Sequence, residues 1–217
     1  MSFTLAQLET ETRALLNEAT PSFFGSLEIQ SWLSQAAISI STMSHCVEVL
    51  STVALAPSTI IYPAPGAFTD PPPGATARLI KVYAALLNNK ALTRIHPRML
   101  AHITDVSDDD PTKYWALFGS NIFFYPVGSA GSGTVQLLSS VVTADPLDLP
   151  DAWQLLCIPW AASRGKLKDN KFAEASVLYN EVMNAVTYQR RDLLERHPSS
   201  RAELTLPDTI ALVSQAG

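Results

Sequence analysis

Leu5, Leu8, Leu15 and Leu16 recur at helical spacing near the start of the chain, with Glu9, Glu11 and Arg13 between them. That period predicts an amphipathic first helix, capped by Thr4 or Ser2. The stretch "ATPSFFGS" breaks it through Pro21 and Gly25, and Ser26 is the candidate cap of the next helix. From Leu27 to about Val53 the apolar positions Ile29, Trp32, Leu33, Ala36, Ile40, Met43, Val47 and Leu50 step by three and four, predicting a longer second helix. Each helix has one apolar face and the connection is short, so the two should pair antiparallel.

The pattern changes after that. Prolines 57, 63, 65, 71, 72 and 73, with Gly66 and Gly74, exclude helix over this region. Short β-type runs follow: "RLIKVYAALL", "WALFGSNIFFYPV" and "TVQLLSSVV", separated by the acidic "DVSDDDP" and by a brief helical turn expected at "HPRMLAHI". The "FGSN" step reads as a hairpin turn, with Gly119 or Asn121 in an unusual backbone conformation. Together these predict one small, mainly antiparallel sheet. Helical period returns near "DLPDAWQLLCIPWAASRGKLKDN", where Asp151 suits a first turn and Pro159 should kink or restart the helix. The last helix, "NKFAEASVLYNEVMNAVTYQRRDLLERH", aligns Phe172, Ala175, Tyr179, Val182 and Val186 on one stripe. Arg190, Arg191 and Arg196 crowd its carboxyl end, where they either complement the helix dipole or contact an acidic partner or DNA. Beyond Pro198 the tail has apolar residues, Leu204, Leu206, Ile210 and Leu212 among them, without a helical stripe. It is expected to be extended and to order on a partner surface. The predicted fold is α+β: a four-helix core with a β-rich, mainly antiparallel insertion between the second and third helices. Residues 1–55 and 148–197 form the helical body, 56–147 the insertion and 198–217 the extended tail.

Composition narrows the function classes. Of 217 residues, 47% are hydrophobic and 16% charged, as in a globular protein rather than a disordered one. The net charge of -5 argues against sequence-independent attraction to nucleic acid, which needs Lys and Arg to displace counterions. No window reaches the roughly 18–20 consecutive apolar residues of a membrane span, and the amino-terminal stretch lacks the basic start and apolar run of a leader. Cys46 and Cys157 are too few for a disulfide framework or zinc site and read as buried, reduced thiols.

The sequence carries no recognisable catalytic motif. Gly128, Gly131 and Gly133 in "YPVGSAGSGTV" have neither phosphate-loop nor dinucleotide-loop spacing, and no lysine follows, so the stretch reads as a turn between strands. Counted from Asp105, a calcium loop would need glycine and glutamate where Asp110 and Ala116 stand, so Asp105, Asp108, Asp109 and Asp110 read as a solvated loop. His45, His96, His102 and His197 accompany no recognisable nucleophile, and the four tryptophans are spread as core residues are. Neither a catalytic residue, a cofactor nor a metal is expected.

The order of the elements resembles the head-to-tail adaptor, or connector, proteins of tailed bacteriophages. "LAQLETETRALLNEATPSFFGSLEIQSWLSQAA" is similar to the family's first helix, break and second helix. "DDPTKYWALFGSNIFFYPV" resembles its hairpin, and "LDLPDAWQLLCIPWAASRGKLKDNKFAEASVLYNEVMNAV" its closing helical pair. The proline-rich "PAPGAFTDPPPG" looks like an elaboration on that pattern. The resemblance spans roughly residues 4 to 190. It implies a structural virion protein, a homo-oligomeric ring of twelve subunits that joins the portal to a tail or neck protein. Genome DNA would pass through its lumen without sequence-specific binding, and no membrane is involved. It implies a location in the virion neck, after assembly in the host cytoplasm. The partner interface is expected at Arg190, Arg191, Arg196, Leu204, Leu206, Ile210 and Leu212. Two rivals stand beside it. One is a tail-completion or other virion interaction protein. The other is a small hydrolase or nucleotide-binding enzyme, which would need His96, His102 and the Asp105 cluster to converge.

Overall fold

A computed structural model describes residues 3–18, 23–56, 59–63, 75–102, 112–119, 121–126 and 133–196, without the side chains of 75–79, 100–102 and 190–196. Among these residues four helices, α1 (Leu5–Leu16), α2 (Ser26–Ser44), α3 (Asp151–Lys168) and α4 (Phe172–Arg196), bracket eight strands inserted between α2 and α3. The α+β class and the place of the insertion are as the sequence predicts.

Thr4 caps α1 in a reciprocal box: its hydroxyl accepts from the Gln7 N–H at 3.3 Å, and the Gln7 side chain accepts from the Thr4 N–H at 2.8 Å. The helix ends at Asn17 in the left-handed conformation. Gly25, not Ser26, occupies the α2 cap position. Ser26 is instead the first helical residue, and its hydroxyl accepts from Arg13 at 3.2 Å. The expected extension of α2 to Val53 is also corrected. The helix stops at Ser44, His45 takes the left-handed cap with φ 59°, and β1 (Glu48–Leu55) follows. Val49, Ser51 and Val53 are buried while Glu48, Leu50 and Ala54 are exposed, a period of two that β-branched residues favour.

Two crossings fix the helical body. Arg13 meets Ser26 and Glu9 meets Gln30, so α1 and α2 run antiparallel as predicted. Yet α1 packs more extensively along α3, running parallel to it from Phe3–Gln154 at one end to Leu16–Gly165 at the other. Residues Leu8, Ile29, Leu33, Ala37, Ile40, Cys157 and Ala161 make a dry centre with exposure of 0%. α3 is a single continuous helix through Pro159, so of the kink or restart expected there, the restart does not occur. The carbonyl that Pro159 cannot bond belongs to Leu155, on an exposed face where its loss is tolerated. Where α1, α2 and α3 meet, a side chain at Gly165 would place its Cβ 2.5 Å from Leu16 Cδ2 and 3.2 Å from Trp32 Cζ3. Gly165→Ala is therefore expected to cost about 1–3 kcal/mol by overpacking. A lower urea midpoint with an unchanged slope would show it.

The described residues of the insertion form two four-stranded sheets rather than the one expected. The remaining strands are β2 (Ile61–Pro63), β3 (Ala75–Leu87), β4 (Lys90–Ala91), β5 (Thr93–Arg94), β6 (Tyr114–Phe118), β7 (Asn121–Tyr125) and β8 (Gly133–Thr143). One sheet runs β1-β8-β3-β4 and the other β2-β7-β6-β5, every pairing antiparallel except β5–β6. Val53, Val82, Ala85, Val135 and Leu137 of the first pack with Trp115, Ile122 and Phe124 of the second, forming a separate core. Gly119 takes φ +60° in the β6–β7 hairpin, one of the two positions expected. Asn88 and Asn89, with φ 50° and 61°, turn β3 into β4 in two residues. The glycine-rich stretch joins β7 to β8. Of it, 127–132 lie outside the described residues, while Gly133 opens β8 opposite Leu55.

Candidate functional site

No residues expected for enzymatic chemistry are brought together by the described structure. His45 caps α2 with its Nδ1 3.3 Å from the Ser140 hydroxyl, whereas His96 is exposed in the insertion and accepts from the Arg98 N–H. The side chain of His102, with His197 and Asp105 to Asp110, lies outside the described residues. Among the described residues no cluster of His, Cys, Asp and Glu could hold a metal ion. Cys46 and Cys157 are buried free thiols, as expected. Burial pushes the Cys46 thiol up to about 11 and raises that of Cys157 further, so neither is a thiolate nucleophile at neutral pH. Trp115, Trp153 and Trp160 are core residues.

What the helical body does present is a set of surfaces. The polar centre that shapes them is Arg13, buried although it lies in an amphipathic pattern. Its guanidinium bonds Glu9 Oε1 at 2.9 and 3.1 Å, donates to the Phe24 carbonyl at 3.1 Å, and sits 3.5 Å from Glu18. Glu18 in turn accepts from the backbone N–H groups of Phe23 and Phe24. Burial raises the Glu9 pKa, but hydrogen bonds from Ser26, Arg13 and Gln30 outweigh it and hold the carboxyl below its usual range. This cluster fixes the elbow between α1 and α2.

The elbow projects at the end of the body away from the sheets. Phe23 is 63% exposed and Leu27 83% exposed. The Lys168 ammonium lies over the rings of Phe23 and Phe24 at 5.9 and 5.5 Å and pairs with Glu28 at 2.7 Å. α4 begins at the same end after a three-residue turn, and Lys166, itself buried, bridges to Glu174 at 2.8 Å. Between α3 and α4 runs an open groove of about 380 Å³, lined by Arg164, Leu167, Ser176, Tyr179 and Asn180. The Arg164 guanidinium stacks 4.5 Å from the Trp160 ring.

The predicted α4 stripe is therefore only partly a core stripe. Ala175, Val182 and Val186 are buried on α3, but Phe172 and Tyr179 are exposed. At about 1.5 Å per residue the 25-residue α4 outruns the 18-residue α3 by about 10 Å. Arg190, Arg191 and Arg196 thus sit on the last turns of a helix that projects towards the sheet end, and their side chains lie outside the description. Leu204, Leu206, Ile210 and Leu212 also fall outside the described residues. Sequence reasoning missed Arg164 and the Phe23–Leu27 elbow. Both carried a signal, an arginine four residues after Trp160 and a paired aromatic beside a glycine. A second groove of about 440 Å³ lies on the insertion, where Lys90, Lys113 and Tyr114 meet the β3–β4 hairpin. No described helix is long and apolar enough to cross a membrane.

No curated protein matches the chain. A family model described as SU10 adaptor protein matches residues 3–203, which takes in all four helices and both sheets. With the helix pair, strand insertion and helix pair in the order the resemblance required, the chain belongs to the SU10 adaptor protein family, a family of phage head-to-tail adaptors.

Proposed function

We propose that this chain is one subunit of a head-to-tail adaptor ring in the virion neck. The ring, of twelve copies, seats on the portal, carries a tail or neck protein below, and lets the genome pass through its lumen. The observation that carries this is the family match over residues 3–203. The surfaces support it: apolar side chains at the elbow and along α4 stand uncovered in the single chain, as expected of a subunit whose neighbours cover them. A rotationally closing contact between unlike faces generates such a ring. With a net charge of -5 per copy, the ring would repel rather than grip DNA in its channel. Assembly takes place in the host cytoplasm, and the adaptor acts through binding alone.

The portal contact is assigned to Arg190, Arg191 and Arg196 with the apolar residues Leu204, Leu206, Ile210 and Leu212. Deleting the residues after Pro198 should leave the melting transition intact and abolish portal binding. Mass measurement and negative-stain imaging of the intact chain, alone and with portal, test the reading. A ring or a portal-bound collar is expected. An intact chain that stays a compact monomer and leaves the portal bare would overturn it, and normal portal binding by the truncated chain would overturn the assignment of the contact.

A further inference from the structure

We infer that the α3–α4 groove receives helix α1 of a second copy, with Arg164 pairing with Glu11 of that copy. This rests on the ring reading above and names its side-to-side contact. α1 and α4 each pack along α3 on separate flanks and contribute little to one another, so the two faces are distinct and both remain open. The groove offers an apolar floor from Leu167 and Tyr179, the hydroxyl of Ser176, and one guanidinium. The exposed side of α1 offers the matching set: Leu15 and, one turn earlier, Glu11.

Charge bookkeeping within the helical body selects this pair. Glu9 and Glu18 are satisfied by Arg13, Glu28 by Lys168, Glu174 by Lys166, and Asp169 by Lys171. Arg164 stacks on Trp160 with no carboxylate partner among the described residues, and Glu11 likewise has no described partner. Two unmatched opposite charges, each beside an exposed leucine, lie on opposite members of the helix set. A contact between unlike faces repeats from copy to copy, and where its rotation closes it makes a ring. Among the described side chains of the helices Glu181 also lacks a partner, but it is not among the residues that line the groove and stands about 100° round α4 from Asn180, which does.

The test uses the full chain assembled as a ring, or on the portal if the free chain does not self-associate. Arg164→Cys and Glu11→Cys are made separately, mixed, and treated with a short bismaleimide; Cys46 and Cys157 are buried and do not compete. The mixture should give a cross-linked dimer that neither variant gives alone, and the double variant a ladder of multimers. Arg164→Glu should weaken self-association roughly tenfold, and adding Glu11→Arg to the same chain should restore it. Both positions are exposed, so melting curves should stay unchanged. A ring that forms without the Arg164–Glu11 link, or in which Glu181→Cys takes the link instead, overturns this contact and leaves the ring reading standing. A chain that remains monomeric on the portal removes both.

Discussion

Arg13→Ala is expected to destabilise the protein by about 3–5 kcal/mol, the loss seen when one partner of a buried ion pair is removed. Arg13 has 7% of its side chain exposed, Glu9 14% and Glu18 9%, so truncation strands two carboxylates away from solvent. It also leaves the Phe24 carbonyl without its donor. Arg13→Lys should recover only part of the loss. A single ammonium replaces the charge but cannot reach Glu9, Phe24 and Ser26 together. Neutralising the acids in the Arg13→Met background, with Glu9→Gln and Glu18→Gln, should win back stability that no additive sum of the single changes predicts.

The pH dependence has a definite sign. Glu9 titrates below its ordinary value in the folded protein, so its contribution is present above that ordinary value and disappears as pH falls through the lowered one. Acid unfolding of the Arg13→Ala variant should therefore have a shallower limb over that window. Urea titrations at neutral pH and at acid pH measure both effects. Equal stability of Arg13→Ala and the parent chain would show that the cluster does not hold the elbow.

The α1 and α4 patterns were legible because a 3.6-residue period survives over three or more turns. The β1 strand was not. Val47 and Leu50 are three apart, which satisfies a helix, and only the alternation of Val49, Ser51 and Val53 with exposed neighbours breaks the tie. Burial decides that alternation, and burial of Val53 depends on Trp115, Ile122 and Phe124, which lie more than sixty residues away. The split into two sheets is hidden for the same reason. The runs were visible, but which strands pair was set by the non-local β1–β8 and β3–β8 registers. Chemistry at the surface was harder still. Phe172 and Tyr179 look like core in a helical wheel and are exposed because α4 rests mainly against one helix. Sequence period records that a side chain will be covered; it does not record by which molecule. Arg164 escaped notice because its groove is made by the crossing of α3 and α4, while the arginines at the end of α4 stood out by mere density.

Trp115→Ala should cost about 3–5 kcal/mol, as expected for emptying a large, fully enclosed site. The loss should fall unevenly. Trp115 is 1% exposed between the sheets, among Ile122, Phe124, Val135 and Leu137, with the Arg94 guanidinium 5.4 Å from its ring. None of these residues belongs to the helical core, which is built from α1 to α4 and the near ends of β1 and β8. β1 and β8 enter both cores: Val49 and Val141 pack with the helices, Val53 and Val135 with the sheets. Hydrogen exchange of the variant should therefore show β2, β6 and β7 losing most protection, β1 and β8 losing it only towards Val53 and Val135, and the helices near Ile29 and Cys157 keeping theirs. Trp115→Phe keeps a ring in the site and should cost much less. Uniform loss of protection through both cores would mean that β1 and β8 couple them into one cooperative unit. The insertion could then not rearrange against a partner without loosening the helical body. Graded loss would mean that the sheets can adjust to a docked protein while the helices, and the faces they present to neighbouring copies, stay fixed.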